Sequence, residues 1–547
     1  MNLSFRFGSV SRYALLLLIW QLSSAAALAQ QQNVLFIIAD DLGVDYTQAY
    51  QEGNDFPATP NIDALARDGI LFRNAWANPV CSPTRATMLT GQYGFRTNVT
   101  TVVGNGRFGA SGLAPDTYTL PKALDEANSG YAHACVGKWH LSDEGNGGAD
   151  NPNVMGFDYF AGFLEGEVDD YYIWNKTVNG ATTEADNYVA TENVDDAIGW
   201  ISEQQEPWFH WLAFANPHTP FHKPPNALHS FDNLSGTDDD ISENPVPYFK
   251  AAVEAMDTEI GRLINYLKET GQYESTIIVY LGDNGTTSQV VQPPFDANQA
   301  KGTLYEGGVN VPFIIAGAAV ANPNRESNAL VSAVDLFATG LELMGVDARP
   351  PAGTTIDAQS LVPIIRNQTD AVRDWVFTEI SGRFLVRAGK AIRNNQYKLI
   401  RFDSEPEELY DLNQDPFETT NLLISSLSDE AQTNYTTLTR QLNTLLGTDD
   451  SPGNPEEPTT PRRPRRNRQT AGPVYPNPSQ DEVTVAVSGA TADPYTYTVR
   501  DQAGQTQLRG MGQGDHLLVD ISNLTPGTYY LRIALPSKTT TTRIVKE

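Results

Sequence analysis

The stretch Val34-Leu35-Phe36-Ile37-Ile38-Ala39-Asp40-Asp41 joins an apolar run directly to two aspartates. A short, continuous apolar run of this kind is typical of a strand that is buried on both faces of a sheet. Asp40 and Asp41 would then lie just beyond the carboxyl end of that strand. Because ligands of open α/β sheets bind at this edge, the stretch predicts a buried strand with a ligand site at its end.

Three later apolar runs end in the same way. Residues 132–136, 208–215 and 276–281 are followed by Lys138 and His140, by His218, and by Asp283 and Asn284. If the four strands are parallel neighbours, their polar ends converge on one site. From Asn33 to about Gly353 such runs alternate with segments of helical pattern. This alternation predicts an α/β fold class, with a mixed, largely parallel sheet flanked by helices.

The rest of the chain falls into three segments that differ in composition. Residues 354–446 combine short strand patterns with a helical pattern and predict a small C-terminal α+β subdomain that packs on the domain of residues 30–353. Residues 447–471 are rich in proline, threonine and arginine and have nothing to bury, which predicts a linker. Residues 472–547 alternate apolar and polar side chains between turn signals, which predicts a separate all-β sandwich.

The N-terminus has the features of an export signal. Arg6 and Arg12 precede the apolar run Tyr13–Trp20, which leads to Ala27-Leu28-Ala29, a small-x-small cleavage pattern. We therefore expect a signal peptide over residues 1–29. The apolar run is much shorter than the ~20 residues of a membrane-spanning helix. No later segment offers a transmembrane span either.

Charge and cysteine content exclude two classes of protein. The 547 residues include 37 Lys and Arg against 66 Asp and Glu, a formal net charge of -29. Nucleic-acid binding needs clustered positive charge, so a nucleic-acid partner is disfavoured, and an anionic ligand must be held by local cations. Cys81 and Cys135 are the only cysteines, too few for a disulfide-stabilised framework.

The stretch PVCSPTRATMLTG surrounds the first of these cysteines. Ser82 suits a helix N-cap, Pro83 the first helical position and Gly91 the end of the helix. Cys81 would then lie just before a helix N-terminus, where free backbone N–H groups and the helix dipole favour an anion. Arg85 can turn back toward the same place.

The sequence leaves two other roles open for Cys81. It could form a disulfide with Cys135, or act as a thiolate nucleophile with a histidine partner. Cys135 lies inside an apolar run, however, which favours a buried, small hydrophobic residue. Neither role explains the acidic strand ends. Their ligands are all oxygens, which select a hard cation such as Ca²⁺ or Mg²⁺ over zinc. The candidate metal ligands are Asp40, Asp41, Asp283 and Asn284.

Six motifs carry a family resemblance. The motifs are NVLFIIADDLG, CSPTR at Cys81, GKWHL, NPHTPF, GDNG and KGTLYEGG at Lys301. Their order along the chain resembles that in the formylglycine-dependent type I sulfatases of the alkaline phosphatase superfamily. ELYDLNQDPFETTNL resembles the C-terminal subdomain of that family, so that the resemblance extends from Asn33 to Leu423. It implies an alkaline-phosphatase-like sheet. The sequence departs from the family pattern at Gln92, Gly282 and Asn310.

The resemblance also implies a chemistry. A maturation enzyme would convert Cys81 to 3-oxoalanine (formylglycine), whose hydrated aldehyde is the nucleophile. One Ca²⁺ would be held by residue 81 and by the four acidic and amide residues at the strand ends. The sulfate and the hydrate would be surrounded by Arg85, Lys138, His140, His218 and Lys301. Within this set His218 would protonate the leaving oxygen, and His140 would deprotonate the hydrate so that sulfate is expelled.

The C-terminal module resembles the sorting domain of the type IX secretion system. Val474-Tyr475-Pro476-Asn477-Pro478 and the later stretch NLTPGTYY carry this resemblance. It implies passage through the periplasm to the cell surface or the medium, with the type IX machinery as a partner. A carbohydrate-binding sandwich is the alternative.

The sequence thus predicts an exported sulfatase that acts on sulfated polysaccharides or oligosaccharides. Two alternatives remain open at this point. One is a phosphodiester or phosphonate monoester hydrolase of the same superfamily. The other is a non-catalytic surface protein that binds sulfated glycans.

Overall fold

The computed structural model divides the chain into two units, residues 1–449 and residues 450–547. It describes residues 31–104, 111–205, 207–347, 349–382 and 387–448 of the first unit. In the second unit it describes residues 474–475, 482–486, 495–501, 506–513, 516–534 and 539–546. The predicted signal peptide and nearly all of the predicted linker lie outside these residues. None of the helices in the described part is long and apolar enough to cross a membrane.

A ten-stranded sheet forms the centre of the first unit. Its strands are β1 (Asn33–Ala39), β2 (Gly69–Trp76), β3 (Ala132–Lys138), β4 (Tyr159–Phe163), β5 (Trp174–Val178), β6 (Ala181–Ala185), β7 (Trp208–Ala213), β8 (Thr276–Gly282), β9 (Phe313–Gly317) and β10 (Arg325–Ser332). They follow the order β10-β2-β9-β8-β1-β7-β3-β4-β5-β6. The four strands predicted from the sequence, β8, β1, β7 and β3, are parallel neighbours in the centre of this sheet. The predicted α/β fold class is therefore confirmed.

The sheet is buried on both faces because its strands send alternate side chains into two apolar cores. Val34, Phe36 and Ile38 of β1 belong to one core, and Leu35 and Ile37 belong to the other. The helices of this unit are α1 (Pro60–Arg67), α2 (Cys81–Thr90), α3 (Gly94–Thr97), α4 (Leu120–Glu126), α5 (Asn151–Val154), α6 (Val189–Glu203), α7 (Asp238–Glu243), α8 (Pro245–Glu269), α9 (Glu306–Val309), α10 (Asp335–Leu343), α11 (Val362–Ile365) and α12 (Asp429–Leu446). Helices α2, α4 and α10 contribute to the first core, and α6 and α8 to the second. This two-sided burial explains the continuous apolar runs in the sequence.

A second, antiparallel sheet packs within the same unit. Its strands are β11 (Val376–Ile380), β12 (Gly389–Arg393), β13 (Tyr397–Phe402) and β14 (Glu408–Asp411), paired in that order. Helix α12 begins where the Ser428 hydroxyl accepts the N–H of Ala431, and it ends at Gly447, whose φ of 65° suits glycine. Its buried Leu438 and Leu442 share a core with Leu399 of β13. Strand β12 was not predicted, because its sequence GKAIR is short and alternates only weakly.

The second unit contains two small antiparallel sheets. Its strands are β15 (Val474–Tyr475), β16 (Glu482–Ala486), β17 (Tyr495–Arg500), β18 (Thr506–Gly512), β19 (His516–Asp520), β20 (Gly527–Ala534) and β21 (Thr539–Lys546). The sheets have the orders β15-β16-β19 and β18-β17-β20-β21. Val485 and Val519 of the first sheet share one apolar core with Val499 and Leu531 of the second. The predicted all-β sandwich is therefore confirmed.

Glu379 of β11 is a carboxylate buried without an ion-pair partner in the described part of the chain. Its side chain is 3% exposed, and it accepts the N–H of Phe95 at 2.7 Å. Burial raises the pKa of Glu379 from 4.5 to about 7. The folded state therefore binds a proton more tightly than the unfolded state does, and stability is lost as the pH rises from 4.5 through 7.

Glu379→Gln is expected to increase the free energy of unfolding at pH 8 by about 1–3 kcal/mol, because the amide keeps an acceptor for Phe95 and carries no charge. Denaturant titrations at pH 5 and pH 8 measure the effect, which should fall at pH 5 to about a quarter of its size at pH 8. Glu430→Gln, at an exposed position of α12, is the matched control and should change little at either pH. An equal gain at both pH values would contradict the assignment.

Candidate active site

The carboxyl ends of β1 and β8 bring four oxygen-bearing side chains together. The strands pair in parallel with Ala39 opposite Gly282, so Asp40 and Asp283 lie side by side at the edge of the sheet. The N–H of Asp41 donates to Asp283 Oδ1 at 3.2 Å, and Asn284 Nδ2 donates to Asp41 Oδ1 at 2.8 Å. Asp41 has a φ of 67°, a left-handed conformation that aspartate tolerates better than most residues. All four side chains are buried.

Two of these oxygen atoms have no hydrogen-bond partner among the described residues. They are Asp40 Oδ1 and Asn284 Oδ1. Ligand atoms of Asp40, Cys81 and Asp283 lie within 4.8 Å of one another. Burial raises the pKa of Asp40 well above its usual value, and the nearby Asp283 acts in the same direction. Buried, unpaired oxygens in a crowded acidic cluster are what a hard cation would satisfy, so these residues fit a metal site.

Cys81 lies at the start of α2, which differs from the prediction in one detail. The helix begins at Cys81 with Val80 as its N-cap, so Ser82 is not the cap and Pro83 is not the first helical residue. The Ser82 hydroxyl instead accepts the N–H of Val103 at 2.9 Å, and this contact takes the place of a capping bond. The helix ends at Gly91 with a φ of 67°, as predicted.

The disulfide alternative is wrong. Cys81 and Cys135 are both free and buried. Cys135 lies within β3, and burial raises the pKa of its thiol far above the usual range. It is thus an inert core residue.

Cys81 faces a histidine whose protonation the structure defines. Cys81 Sγ lies 3.1 Å from His140 Nδ1, and His140 Nε2 lies 3.0 Å from the carbonyl oxygen of Val103. A carbonyl can only accept, so Nε2 carries the proton and Nδ1 presents a lone pair to residue 81. Burial, with the nearby charges of Lys138 and Arg85, holds the pKa of His140 well below its usual value. Its imidazole is therefore a neutral group that can accept a proton.

Arg85 and Lys138 form a layer of positive charge behind the carboxylates. Arg85 Nη2 contacts Asp283 Oδ2 at 2.7 Å, and its Nη1 donates to the carbonyl of Lys138 at 2.9 Å. Lys138 Nζ lies 2.5 Å from Asp40 Oδ2. Both cationic side chains are 0% exposed. They hold the carboxylates in place and leave their charges close beneath the surface of the site.

His218 and Lys301 flank the carboxylate of Asp41. Lys301 Nζ lies 2.5 Å from Asp41 Oδ1, and His218 Nε2 lies 3.6 Å from Asp41 Oδ2. Although burial opposes it, these two partners hold the pKa of Asp41 well below its usual value. Burial lowers the pKa of His218 to about 3. His218 Nδ1 donates to the carbonyl of Thr219 at 2.8 Å, so its Nε2 faces the site.

A cavity of about 710 Å³ opens onto Cys81, His140, His218 and Lys301. The structure thus brings all ten predicted site residues to one edge of the sheet, four on the cavity surface and the others beneath it. The outer wall of this cavity begins at Glu165, and none of its residues was among the predicted site residues. The signal was present, because β4 is one more strand that ends in a polar segment.

The chain is similar to known proteins along most of its first unit. Residues 32–346 match the sulfatase family, and residues 298–447 match the family described as "N-sulphoglucosamine sulphohydrolase, C-terminal". The N-acetylgalactosamine-6-sulfatase of Canis lupus familiaris is 28% identical over 374 residues, covering 62% of this chain and 67% of that protein. The N-acetylglucosamine-6-O-sulfatase of Bacteroides thetaiotaomicron is 26% identical over 497 residues, covering 72% and 83%. The solved structure of Ps i-CgsB superposes with a TM-score of 0.65 at 26% identity, covering 77% of this chain and 94% of that one.

The chain therefore belongs to the sulfatase family, and it is a sulfuric ester hydrolase. Residues 473–547 match the family described as "Secretion system C-terminal sorting domain". The protein is thus directed by the type IX system to the cell surface or beyond the cell.

Proposed function

We propose that this protein removes sulfate from extracellular sulfated polysaccharides or oligosaccharides, with the hydrate of formylglycine at position 81 as nucleophile and one Ca²⁺ at the acidic strand ends. The observation that carries the proposal is the position of Cys81. Its side chain lies between the buried carboxylates and the cavity, with the lone pair of His140 at 3.1 Å. Relatives named for 6-sulfated amino sugars and a sorting domain for the cell exterior support a glycan substrate.

Five residues would hold the metal: Asp40, Asp41, Asp283, Asn284 and residue 81. This is more than Mg²⁺ usually takes from a protein, whereas Ca²⁺ accepts six to eight oxygen ligands in flexible geometry. When bound, Ca²⁺ would supply positive charge to the sulfate oxygens and to the nucleophile. Residue 81, once oxidised by a maturation enzyme and hydrated, would supply the oxygen that attacks sulfur.

The cations of the chain neutralise the sulfate from below and from the side. Lys301 reaches the cavity surface, while Arg85 and Lys138, whose side chains are fully buried, act from beneath it. Charges fixed in a buried site need no reorganisation as the reaction proceeds, so they stabilise the transition state more than solvent does.

The two histidines have opposite tasks. His140 is neutral, and its Nδ1 accepts a proton from the second hydroxyl of residue 81, which lets sulfate leave. His218 donates a proton from Nε2 to the departing sugar oxygen. Its low pKa in the free site comes first from burial, with Lys138 and Lys301 contributing. The incoming sulfate anion opposes these charges and raises the pKa of His218, so that the proton is taken up with the substrate.

The test is metal-dependent release of inorganic sulfate. Protein produced together with a maturation enzyme is expected to release sulfate from sulfated oligosaccharides, to lose at least about tenfold in rate after chelation, and to recover with Ca²⁺ but not with Mg²⁺. Ion chromatography measures the product.

Asp125→Asn provides the control for this experiment. It changes the other described cluster of potential ligands, around His133, and should leave the Ca²⁺ dependence unaltered. Full activity in metal-free protein would contradict the Ca²⁺ assignment, and no sulfate release from any sulfated substrate would contradict the function.

A further inference from the structure

Four exposed carboxylates line the outer part of the active-site cavity: Glu165, Glu167, Asp169 and Glu184. We call them the acidic wall. We propose that the acidic wall makes the enzyme select substrates that carry no second negative charge beside the sulfate ester, such as monosulfated chains of neutral sugars. This inference rests on the proposed function, because it concerns the substrate of the same site.

One part of the wall is fixed to His140. The segment that follows β4 continues alongside residues 139–140, with the N–H of Trp139 donating to Phe163 O at 3.0 Å and that of His140 to Leu164 O at 3.1 Å. Gly166 then packs directly on the imidazole: a Cβ at this position would lie 2.5 Å from His140 Cε1. The neighbours of Gly166 on either side are Glu165 and Glu167. These two carboxylates are thus held beside the reacting groups.

The same segment is also fixed to the His218 loop. Thr219 Oγ1 donates to Glu167 Oε2 at 3.4 Å. The Tyr171 hydroxyl lies 2.8 Å from the carbonyl oxygen of Ala215 and 2.7 Å from that of His218. The segment that contains Glu165 and Glu167 is therefore held between His140 and the His218 loop.

The charge of the wall is not neutralised by the described part of the chain. None of its four carboxylates lies within ion-pair distance of a described lysine, arginine or histidine, whereas Lys301, the lysine on the cavity surface, is paired with Asp41. The floor of the cavity therefore has paired charges, to which the proposed Ca²⁺ would add positive charge, whereas the mouth has negative charge without an ion-pair partner among the described residues. A sulfate ester reaches the floor, but a carboxylate or second sulfate on the rest of the substrate meets like charge.

The wall also suits the groups that a neutral sugar presents. Each carboxylate offers two oxygens that accept from sugar hydroxyls. Ile173, which is 56% exposed, lines the cavity next to Trp174 and offers apolar surface for the C–H face of a ring. A neutral sugar would therefore donate hydrogen bonds to the wall and pack on Ile173, without electrostatic repulsion.

The experiment uses two aryl sulfates of the same shape, 4-nitrophenyl sulfate with either a carboxamide or a carboxylate at ring position 3. The fully matured native enzyme is expected to prefer the carboxamide by about tenfold in kcat/KM at low salt, with a smaller preference at 0.5 M salt because screening weakens like-charge repulsion. In the variant Glu165→Gln, Glu167→Gln, Asp169→Asn, Glu184→Gln the ratio should fall to within about threefold.

A variant with the same change in net charge separates local from global effects. Asp238→Asn, Asp239→Asn, Glu243→Gln and Glu274→Gln remove four exposed carboxylates that do not line the cavity, and the native ratio should persist. A native ratio near one, or an equal fall in both variants, would overturn the inference while sulfatase activity remained. Failure of the native enzyme to hydrolyse either probe or any sulfated glycan would instead overturn the proposed function, and the inference with it.

Discussion

Cys81→Ala is expected to abolish sulfate release, with a loss of at least about 10⁴ in kcat, because alanine offers neither a thiol for oxidation nor an oxygen for attack on sulfur. The loss should be similar for sugar and aryl sulfates, since both need the same nucleophile. Substrate binding should persist, because Lys301 and His218 remain on the cavity surface. Assays of sulfate release and of substrate affinity separate these two effects.

The chemical state of residue 81 gives an independent readout. The tryptic peptide from Asn74 to Arg85 contains the modified position, so its mass in protein from the native host reports formylglycine directly. Cys135→Ala is the control, because Cys135 is a free, buried cysteine of β3 and has no part in the proposed reaction. It should retain both the modified peptide and the activity. An unmodified thiol at position 81 in fully active enzyme would contradict the assignment.

His218→Ala is expected to separate substrates by the quality of their leaving group. A sugar alkoxide is a poor leaving group, so loss of the proton donor should lower kcat by about 10²–10⁴. The leaving phenolate of 4-nitrophenyl sulfate needs little protonation, so its rate should fall by less than about tenfold. Parallel kinetics on a sulfated sugar and on this aryl sulfate measure the difference.

Lys301→Met is the comparison for this experiment, because it removes a charge from the same side of Asp41 without removing the proposed proton donor. Its losses should be similar for the two substrates, since both carry the sulfate group that Lys301 neutralises. Equal losses on the two substrates in His218→Ala, or the selective loss in Lys301→Met, would reassign the proton donor.

Much of the architecture could be predicted because two-sided burial leaves a strong pattern. The strands that precede Asp40 and Asp283 are continuous apolar runs, and the carboxyl ends of parallel strands meet at one edge of the sheet. The proximity of Asp40 and Asp283 could therefore be predicted from the sequence. Strand β12 and several strands of the sandwich were missed because they are short or half-polar, and their pairing depends on partners far away in the chain.

Details of the site depended on tertiary contacts that leave no local signal. Ser82 has the chemistry of an N-cap, but the N–H of Val103, 21 residues away, takes its hydroxyl. Arg85 and Lys138 were expected around the sulfate, and their full burial beneath Asp283 and Asp40 could not be foreseen from spacing. The acidic wall follows a strand that the sequence analysis did not single out, although Glu165 stands directly after an apolar run.

The left-handed backbone at Asp41 and at His140, with φ values of 67° and 58°, limits how this enzyme can diverge. A residue that replaces either one must supply suitable side-chain chemistry and must also tolerate a positive φ. A longer acid at position 41 keeps the charge but loses the conformational tolerance that aspartate shares with asparagine. Asparagine keeps the conformation but loses the charge. The range of residues tolerated at position 41 should therefore be narrower than the role of an oxygen ligand alone would require. The exposed residues of the acidic wall have no such backbone constraint, so substrate specificity can change there.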